Sequence, residues 1–242
     1  MGRKLVVGDI HGGLKALEQV LEKVKVTKDD TLIFLGDYVD GWSDSAQVIS
    51  FLIELKTSYN CIFIRGNHDD LCYTWLTQRT FYPEWVQHGG QATMDSYENI
   101  SDAQIKAHLL FYENLFDYHI DKNNRLFVHA GFTSLHGPHK EYFNKLCYWD
   151  RTLWETALAL DPKLEKTDDK YPKRLLLFDE IYIGHTPVTR INKTVPVHAT
   201  GVWNIDTGAA FKGALTIMDV ETKEWWQSDP VYKLYPDEKG RN

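Results

Sequence analysis

The chain has 242 residues, 43% of them hydrophobic, enough for a sizeable core in one domain or one domain with an insertion. A formal charge of −7 and a pI near 5.8 exclude the broad basic surface that nucleic-acid backbones require, so any anion must be held locally. No apolar run approaches the roughly 20 residues of a membrane span, and the first residues lack the apolar stretch of a signal peptide, so the cytoplasm is the expected location and neither nucleic acid nor a membrane is an expected partner.

In chain order, "KLVVGDIHGG" reads as a strand at Leu5 to Val7 that breaks at Gly8, after which Leu14, Leu17, Val20, Leu21 and Val24 recur at helical spacing. "TLIFLGD" repeats this plan, with Ser43 to Ser45 as cap residues before a helix over Ala46 to Leu55. "CIFIRGNHDD" repeats it again and leads into a helix at Leu71 to Leu76. Residues 79–100 are aromatic and irregular, broken at Gly89 and Gly90, and a further helix is expected over Asp102 to Glu113. "DYHIDKNNRLFVHAG" reads as two short strands around the turn Lys122 to Asn124. After a helix near Tyr148 to Leu160, residues 161–174 carry nine charged side chains and read as an exposed loop. "EIYIGHT", "VWNIDTG" and "ALTIMDV" close the set of strands, giving one domain over residues 1–228 and a polar tail over 229–242 that is free to fray. Cys61, Cys72 and Cys147 form no even set and no C-x-x-C pair, so they read as small core residues.

The chemistry lies just beyond the strands. Five apolar runs end in side chains that can bind a metal: Asp9 and His11, Asp37, Asn67 with His68 and Asp69, His129, and His185. In open α/β sheets the carboxyl ends of the strands share one crevice, so these groups should converge. Carboxylates, imidazoles and an amide without a thiolate suit manganese, iron, zinc or cobalt better than magnesium or calcium alone. Asp9, His11, Asp37, Asn67, His129 and His185 are too many donors for one tetrahedral ion, but they suit two ions that share a carboxylate. Two metals about 3.5 to 4 Å apart can clamp the attacking and leaving oxygens of an in-line displacement. Phosphoester hydrolysis is the reaction this suggests.

The ordered series GDIHG, GDYVD, RGNHD, VHAG, GHT and DTGA, from Gly8 to Asp206 and beyond, resembles the calcineurin-like metallophosphoesterases. Within them it resembles the PPP-type serine/threonine phosphatases of bacterial and phage kind, with the symmetrical diadenosine tetraphosphatases close by. "GGQATMDSY" and the pair Trp149 and Arg151 add to the likeness. The resemblance implies a β-sandwich flanked by helices, which refines the plain α/β reading, with a dinuclear site at the strand ends. It implies that Asp9 and His11 hold one ion, that Asp37 bridges, and that Asn67, His129 and His185 hold the other. It further implies that His68 is the general acid, oriented by Asp40, and that a hydroxide bridging the two metals is the nucleophile. An imidazolium backed by a carboxylate suits an alkoxide leaving group, which needs a proton near neutral pH.

Related phosphatases read D-R-G where this chain reads Asp40-Gly41-Trp42, so one phosphate arginine is missing. Arg151 resembles the family's other phosphate arginine, Arg65 lies in a site motif, and Trp42 is either a stacking surface for a substrate ring or a packed core residue. Asp69 and Asp70 read as acids at a helix start, Asp206 as a loop-fixing acid, and His88, His108, His119, His136, His139 and His198 as structural or surface histidines. The leading expectation is a phosphoserine/phosphothreonine phosphatase with two divalent ions, manganese foremost. The alternatives are a hydrolase of dinucleoside polyphosphates or another small phosphoester, and a non-catalytic phosphate-binding protein. Substrate partners are thus a phosphoprotein or a small phosphoester.

Overall fold

The computed structural model describes residues 2–242. Two five-stranded mixed sheets face each other, each joining a parallel trio of strands to antiparallel neighbours. The first sheet contains β1 (Lys4–Val7), β2 (Thr31–Phe34), β3 (Asn60–Phe63), β9 (Thr216–Asp219) and β10 (Trp225–Gln227), in the order β10-β9-β1-β2-β3. The second contains β4 (Tyr118–Ile120), β5 (Arg125–Val128), β6 (Glu180–Ile183), β7 (Val197–Ala199) and β8 (Val202–Asn204), in the order β4-β5-β6-β8-β7. β1, β2 and β3 run parallel, as do β5, β6 and β8, so the carboxyl ends within each trio point the same way.

These strands read as unbroken apolar runs because both of their faces are buried. Leu5 and Val7, with Leu32 and Phe34, face one helical layer, while Val6, Ile33 and Leu35 meet the opposite sheet. Leu126, Val128, Ile181 and Ile183 face the other helical layer, while Phe127 and Tyr182 turn inward and stack at 4.9 Å. The expected helix-flanked β-sandwich is therefore present.

The helices on the first sheet are α1 (Leu14–Val24), α2 (Ser45–Ser58), α3 (Asn67–Gln78), α4 (Pro83–Trp85), α5 (Gln91–Ser96) and α6 (Asp102–Glu113). Those on the second are α7 (Leu146–Trp149) and α8 (Thr152–Ala159), and α9 (Val231–Leu234) returns to the first. Among the described residues no helix is long and apolar enough to cross a membrane.

Three expectations need correction. α3 begins at Asn67, four residues before the apolar spacing suggests, because the Asp69 carboxylate accepts the Gly66 amide at 2.8 Å and holds the first turn. The helix expected near Tyr148 to Leu160 is two, since Asp150 accepts the amides of Thr152 at 3.0 Å and Leu153 at 2.9 Å and restarts the chain. The segment 229–242 is docked onto the domain rather than standing free of it. Tyr235 is buried, stacks on Trp42 at 5.4 Å and donates its hydroxyl to Asp44 at 2.6 Å, and Glu238 accepts the amide and hydroxyl of Ser43. Residues 161–174 are mostly exposed as expected, but Tyr171 is buried and Arg174 is an anchor that donates to the carbonyls of Phe132 and Thr152.

Candidate active site

The loops after β1, β2, β3, β5 and β6 deliver Asp9, His11, Asp37, Asn67, His68, His129 and His185 to one buried cluster. Backbone bonds tie these loops together: the Ile10 and His11 amides both donate to the Asp37 carbonyl, at 3.0 and 2.9 Å. His11, Asp37, Asp40 and His185 all sit at positive φ, between 53° and 73°. Such backbone is costly outside glycine and persists where the surroundings over-determine it, a pattern concentrated at functional sites. Gly184 allows the two halves to close, since a Cβ there would lie 2.0 Å from Asp9 Oδ1.

The Asp37 carboxylate is central. Its Oδ1 accepts the His68 amide at 3.0 Å, while Oδ2 lies 3.6 Å from His11 Nε2 and 3.4 Å from His129 Nε2. One donor atom each from Asp37, His129 and His185 lie within 4.8 Å of one another, and the same holds for His11, Asp37 and His68. Asn67 Oδ1 lies 3.2 Å from His129 Nε2 and 2.9 Å from His185 Nδ1. Asp9 Oδ2 accepts the His185 amide at 2.9 Å and lies 3.9 Å from His11 Nε2.

Three observations show that these residues fit divalent ions. Asp9 Oδ1 and His185 Nε2 are buried without a hydrogen-bond partner, although such atoms are normally satisfied. His129 Nδ1 donates to the Leu35 carbonyl at 2.8 Å, and His11 Nδ1 faces the carbonyls of Asp40 and Val39 at 2.9 and 3.1 Å, which leaves each Nε2 turned toward Asp37. The third is charge. Burial, with Asp206 and Asp37 nearby, pushes the Asp9 carboxyl well up, and burial raises Asp206 to about 6. Burial opposes a charge on His129, yet the Asp37 carboxylate overcomes it and raises the imidazole to about 9. The buried acids thus favour a positive charge beside them, which an imidazolium at His129 supplies and which a metal cation would supply in its place.

A metal ion held by His129 would displace the proton of that imidazolium. With its value raised to about 9, His129 is mainly protonated at pH 7 and would have to lose the proton to become a ligand. Manganese binding should therefore release at least about one proton per protein. Calorimetric titration in buffers of different ionisation enthalpy reads this directly, and a heat independent of buffer would contradict it.

His68 stands beside the cluster. Its Nδ1 lies 2.6 Å from Asp40 Oδ2, and its ring meets that of His11 edge-on at 5.1 Å. Asp40 is fully buried; its Oδ2 also accepts Trp85 Nε1 at 2.5 Å, and its Oδ1 accepts the Thr93 hydroxyl at 2.6 Å. Asp69 is buried too, and besides capping α3 it accepts the Asp37 and Tyr38 amides at 2.8 and 2.9 Å. Asp206 accepts the Gly208 amide at 2.9 Å, in keeping with a loop-fixing acid.

A cavity of about 710 Å³ opens over the cluster and reaches Asp37, Asn67, His68 and His185. Arg151 lines it, raised there by the break between α7 and α8. Two other expected substrate contacts are not placed there. Trp42 is fully buried, donates Nε1 to the Ala209 carbonyl at 2.7 Å and packs on Tyr235, so its ring has no face for a substrate. Arg65 donates to the Tyr112 carbonyl at 2.8 Å and faces Asp117 at 3.9 Å, outside the lining of the cavity. Sequence reasoning missed Trp85 and Thr93, whose irregular segment gave no period to place them, and Arg190, Phe211 and Arg241, which also line the cavity or its rim.

Helix-flanked paired sheets with histidines, carboxylates and an amide at their strand ends define a metallohydrolase of phosphoesters. Residues 2–205 match the calcineurin-like phosphoesterase family. The chain belongs to that family, whose members are hydrolases that use divalent metals. It is 30% identical over 240 residues to the asymmetrical bis(5'-nucleosyl)-tetraphosphatase PrpE of Bacillus cereus, covering 88% of each chain. It is 28% identical over 236 residues to the PrpE of Anoxybacillus flavithermus, again with 88% of each covered. A solved protein serine/threonine phosphatase from Saccharomyces cerevisiae superposes with a TM-score of 0.61 at 14% identity, over 94% of this chain and 80% of that one, a likeness of fold.

Proposed function

We propose that the protein hydrolyses dinucleoside polyphosphates, with Asp9, His11, Asp37, Asn67, His129 and His185 as ligands for two divalent ions, manganese foremost. The observation that carries this reading is the composition of the cavity over the cluster. Tyr82, Trp85, Trp149 and Phe211 contribute aromatic surface, Arg151 and Arg190 contribute charge, and the volume of about 710 Å³ lies within the range of small-molecule sites. Tyr82 and Trp149 are exposed and so present ring faces to an entering base. A phosphoserine side chain has no use for base-sized aromatic surface. A nucleotide polyphosphate uses both the rings and the guanidinium groups. The named relatives act on such compounds, which supports the small-phosphoester alternative over the protein-phosphatase expectation.

Bound metal ions would lower the pKa of water and offset phosphate charge, supplying the nucleophile and the electrostatic stabilisation. The chain's own groups do the rest. Arg151 holds phosphate oxygens, Asp40 fixes the His68 ring through Nδ1, and the Nε2 of His68 is left to hydrogen-bond or protonate the leaving oxygen. The test compares purified, manganese-loaded enzyme on diadenosine tetraphosphate and on a phosphopeptide panel. A kcat/KM at least about 100-fold higher on the dinucleotide is expected, a difference of roughly 2.7 kcal/mol in transition-state binding. A preference for phosphopeptides would reverse the assignment.

A further inference from the structure

We propose that Arg241, brought to the site by the folded segment 229–242, is a phosphate-binding residue that occupies the space opened by Gly41. The inference rests on the reading that the cavity holds a phosphate ester, but not on which ester. Arg241 lines the same cavity as Asp37, His68 and Arg151. Its guanidinium carbon sits 5.4 Å from the centre of the Phe211 ring, which holds it as a cation over an aromatic face. Its Nε is buried without a hydrogen-bond partner, and a guanidinium donor left unpaired beside other cations is suited to an anion.

The segment is seated firmly enough to position that side chain. The Trp42–Tyr235 stack, the Glu238 bonds to Ser43 and the Tyr235 bond to Asp44 fix it, and the Arg241 amide donates to the Ala210 carbonyl at 2.9 Å. Gly41 makes the room. A Cβ at Gly41 would lie 3.3 Å from Arg241 Cγ, and its φ of 129° would strain any side chain. The stem of Arg241 thus passes over the position where related phosphatases carry an arginine on the loop itself. Trp42 serves this arrangement as part of the seat, so the two departures at Gly41 and Trp42 have one structural reason.

The electrostatics agree. Burial lowers the Arg151 pKa, and Arg190 and Arg241 lower it further, so three guanidinium groups repel one another around one cavity. An oxyanion between them relieves that repulsion and gains charge-assisted hydrogen bonds.

The test measures inhibition by inorganic phosphate, and KM and kcat on p-nitrophenyl phosphate, for Arg241→Ala, Arg241→Gln and Arg241→Lys in the manganese-loaded full chain. Arg241→Ala should raise the phosphate inhibition constant by roughly 10- to 100-fold, with thermal unfolding little changed, and added guanidinium ion or Arg241→Lys should recover part of the loss. Arg241→Gln keeps the packing of the stem and removes only the charge, so it should behave as Arg241→Ala does. An unchanged inhibition constant in Arg241→Gln overturns the proposal, as does a loss in Arg241→Ala that Arg241→Gln fully restores. A phosphoryl group is common to every candidate ester and inorganic phosphate probes its site, so a preference for phosphopeptides would overturn the dinucleotide reading and leave this measurement intact.

Discussion

Asp37→Asn should lower kcat/KM by on the order of 10³- to 10⁵-fold on every phosphoester the enzyme accepts, because metal centres of this kind supply several kcal/mol of transition-state stabilisation. The geometry singles out this residue. Asp37 lies 3.6 Å from His11 Nε2 on one side and 3.4 Å from His129 Nε2 on the other, so it belongs to both donor groups. His129 foremost, with His68 and His11, also holds its carboxyl well below the usual range against the opposing effect of burial. The amide of Asn has one carbonyl oxygen and no charge, so it serves at most one ion and weakly. Metal analysis of the manganese-loaded variant should find at most one tightly held ion. Two retained ions with activity within about tenfold of wild type would remove Asp37 from the bridging role.

Much of this site was legible in the sequence because its geometry derives from strand ends. Leu5–Val7, Leu32–Leu35 and Leu126–Val128 are apolar on both faces. That marks buried parallel strands, and parallel strands in one sheet must deliver their terminal loops to one edge. The ligand candidates come directly after those runs, so their convergence needed no knowledge of the helices. Asp40 and Asp69 were legible as acids but only partly as to use. The sequence places Asp69 at a helix start, whereas its contacts to the Asp37 and Tyr38 amides depend on how two loops meet.

What stayed hidden depends on contacts between segments remote in sequence. Trp85 and Thr93 reach Asp40 from an irregular stretch whose course is set by Gly89, at a φ of 105°, and no hydrophobic period announces such a turn. Arg241 lies in a polar segment that reads as a fraying tail, because its anchors are single residues: Tyr235 under Trp42, and Glu238 on Ser43. Trp42 and Arg65 failed as substrate contacts for a related reason. A residue within a site motif can point into the core as easily as into the cleft, and only the packing decides between them.

His68→Asn should separate leaving groups by how badly they need a proton. The Nδ1 of His68 lies 2.6 Å from a carboxylate that is itself held by Trp85 and Thr93, so the ring cannot easily turn, and its Nε2 is the atom free to donate. A phosphoserine substrate expels an alkoxide, a strong base, and loss of the acid should slow its hydrolysis by roughly 10²- to 10⁴-fold. p-Nitrophenyl phosphate expels a weak base, and its loss should stay within about tenfold. Diadenosine tetraphosphate expels a nucleotide through a phosphate oxygen, which is also a weak base, so its loss should resemble that of p-nitrophenyl phosphate. Asp40→Asn should keep the same order with smaller losses, because it disturbs the orientation of the ring and leaves the acid in place. The pattern across substrates is the informative quantity, since a fall in expression or metal content would lower all three rates alike. Equal losses on phosphoserine, p-nitrophenyl phosphate and diadenosine tetraphosphate, in a variant holding its full metal content, would assign His68 to binding the phosphate. A graded loss would assign it to the departing oxygen. The ring would then be held for that role by the Asp40 network, in which the Thr93 hydroxyl donates to the Asp40 carboxylate and accepts the Asp40 amide, fixing the loop that carries Gly41.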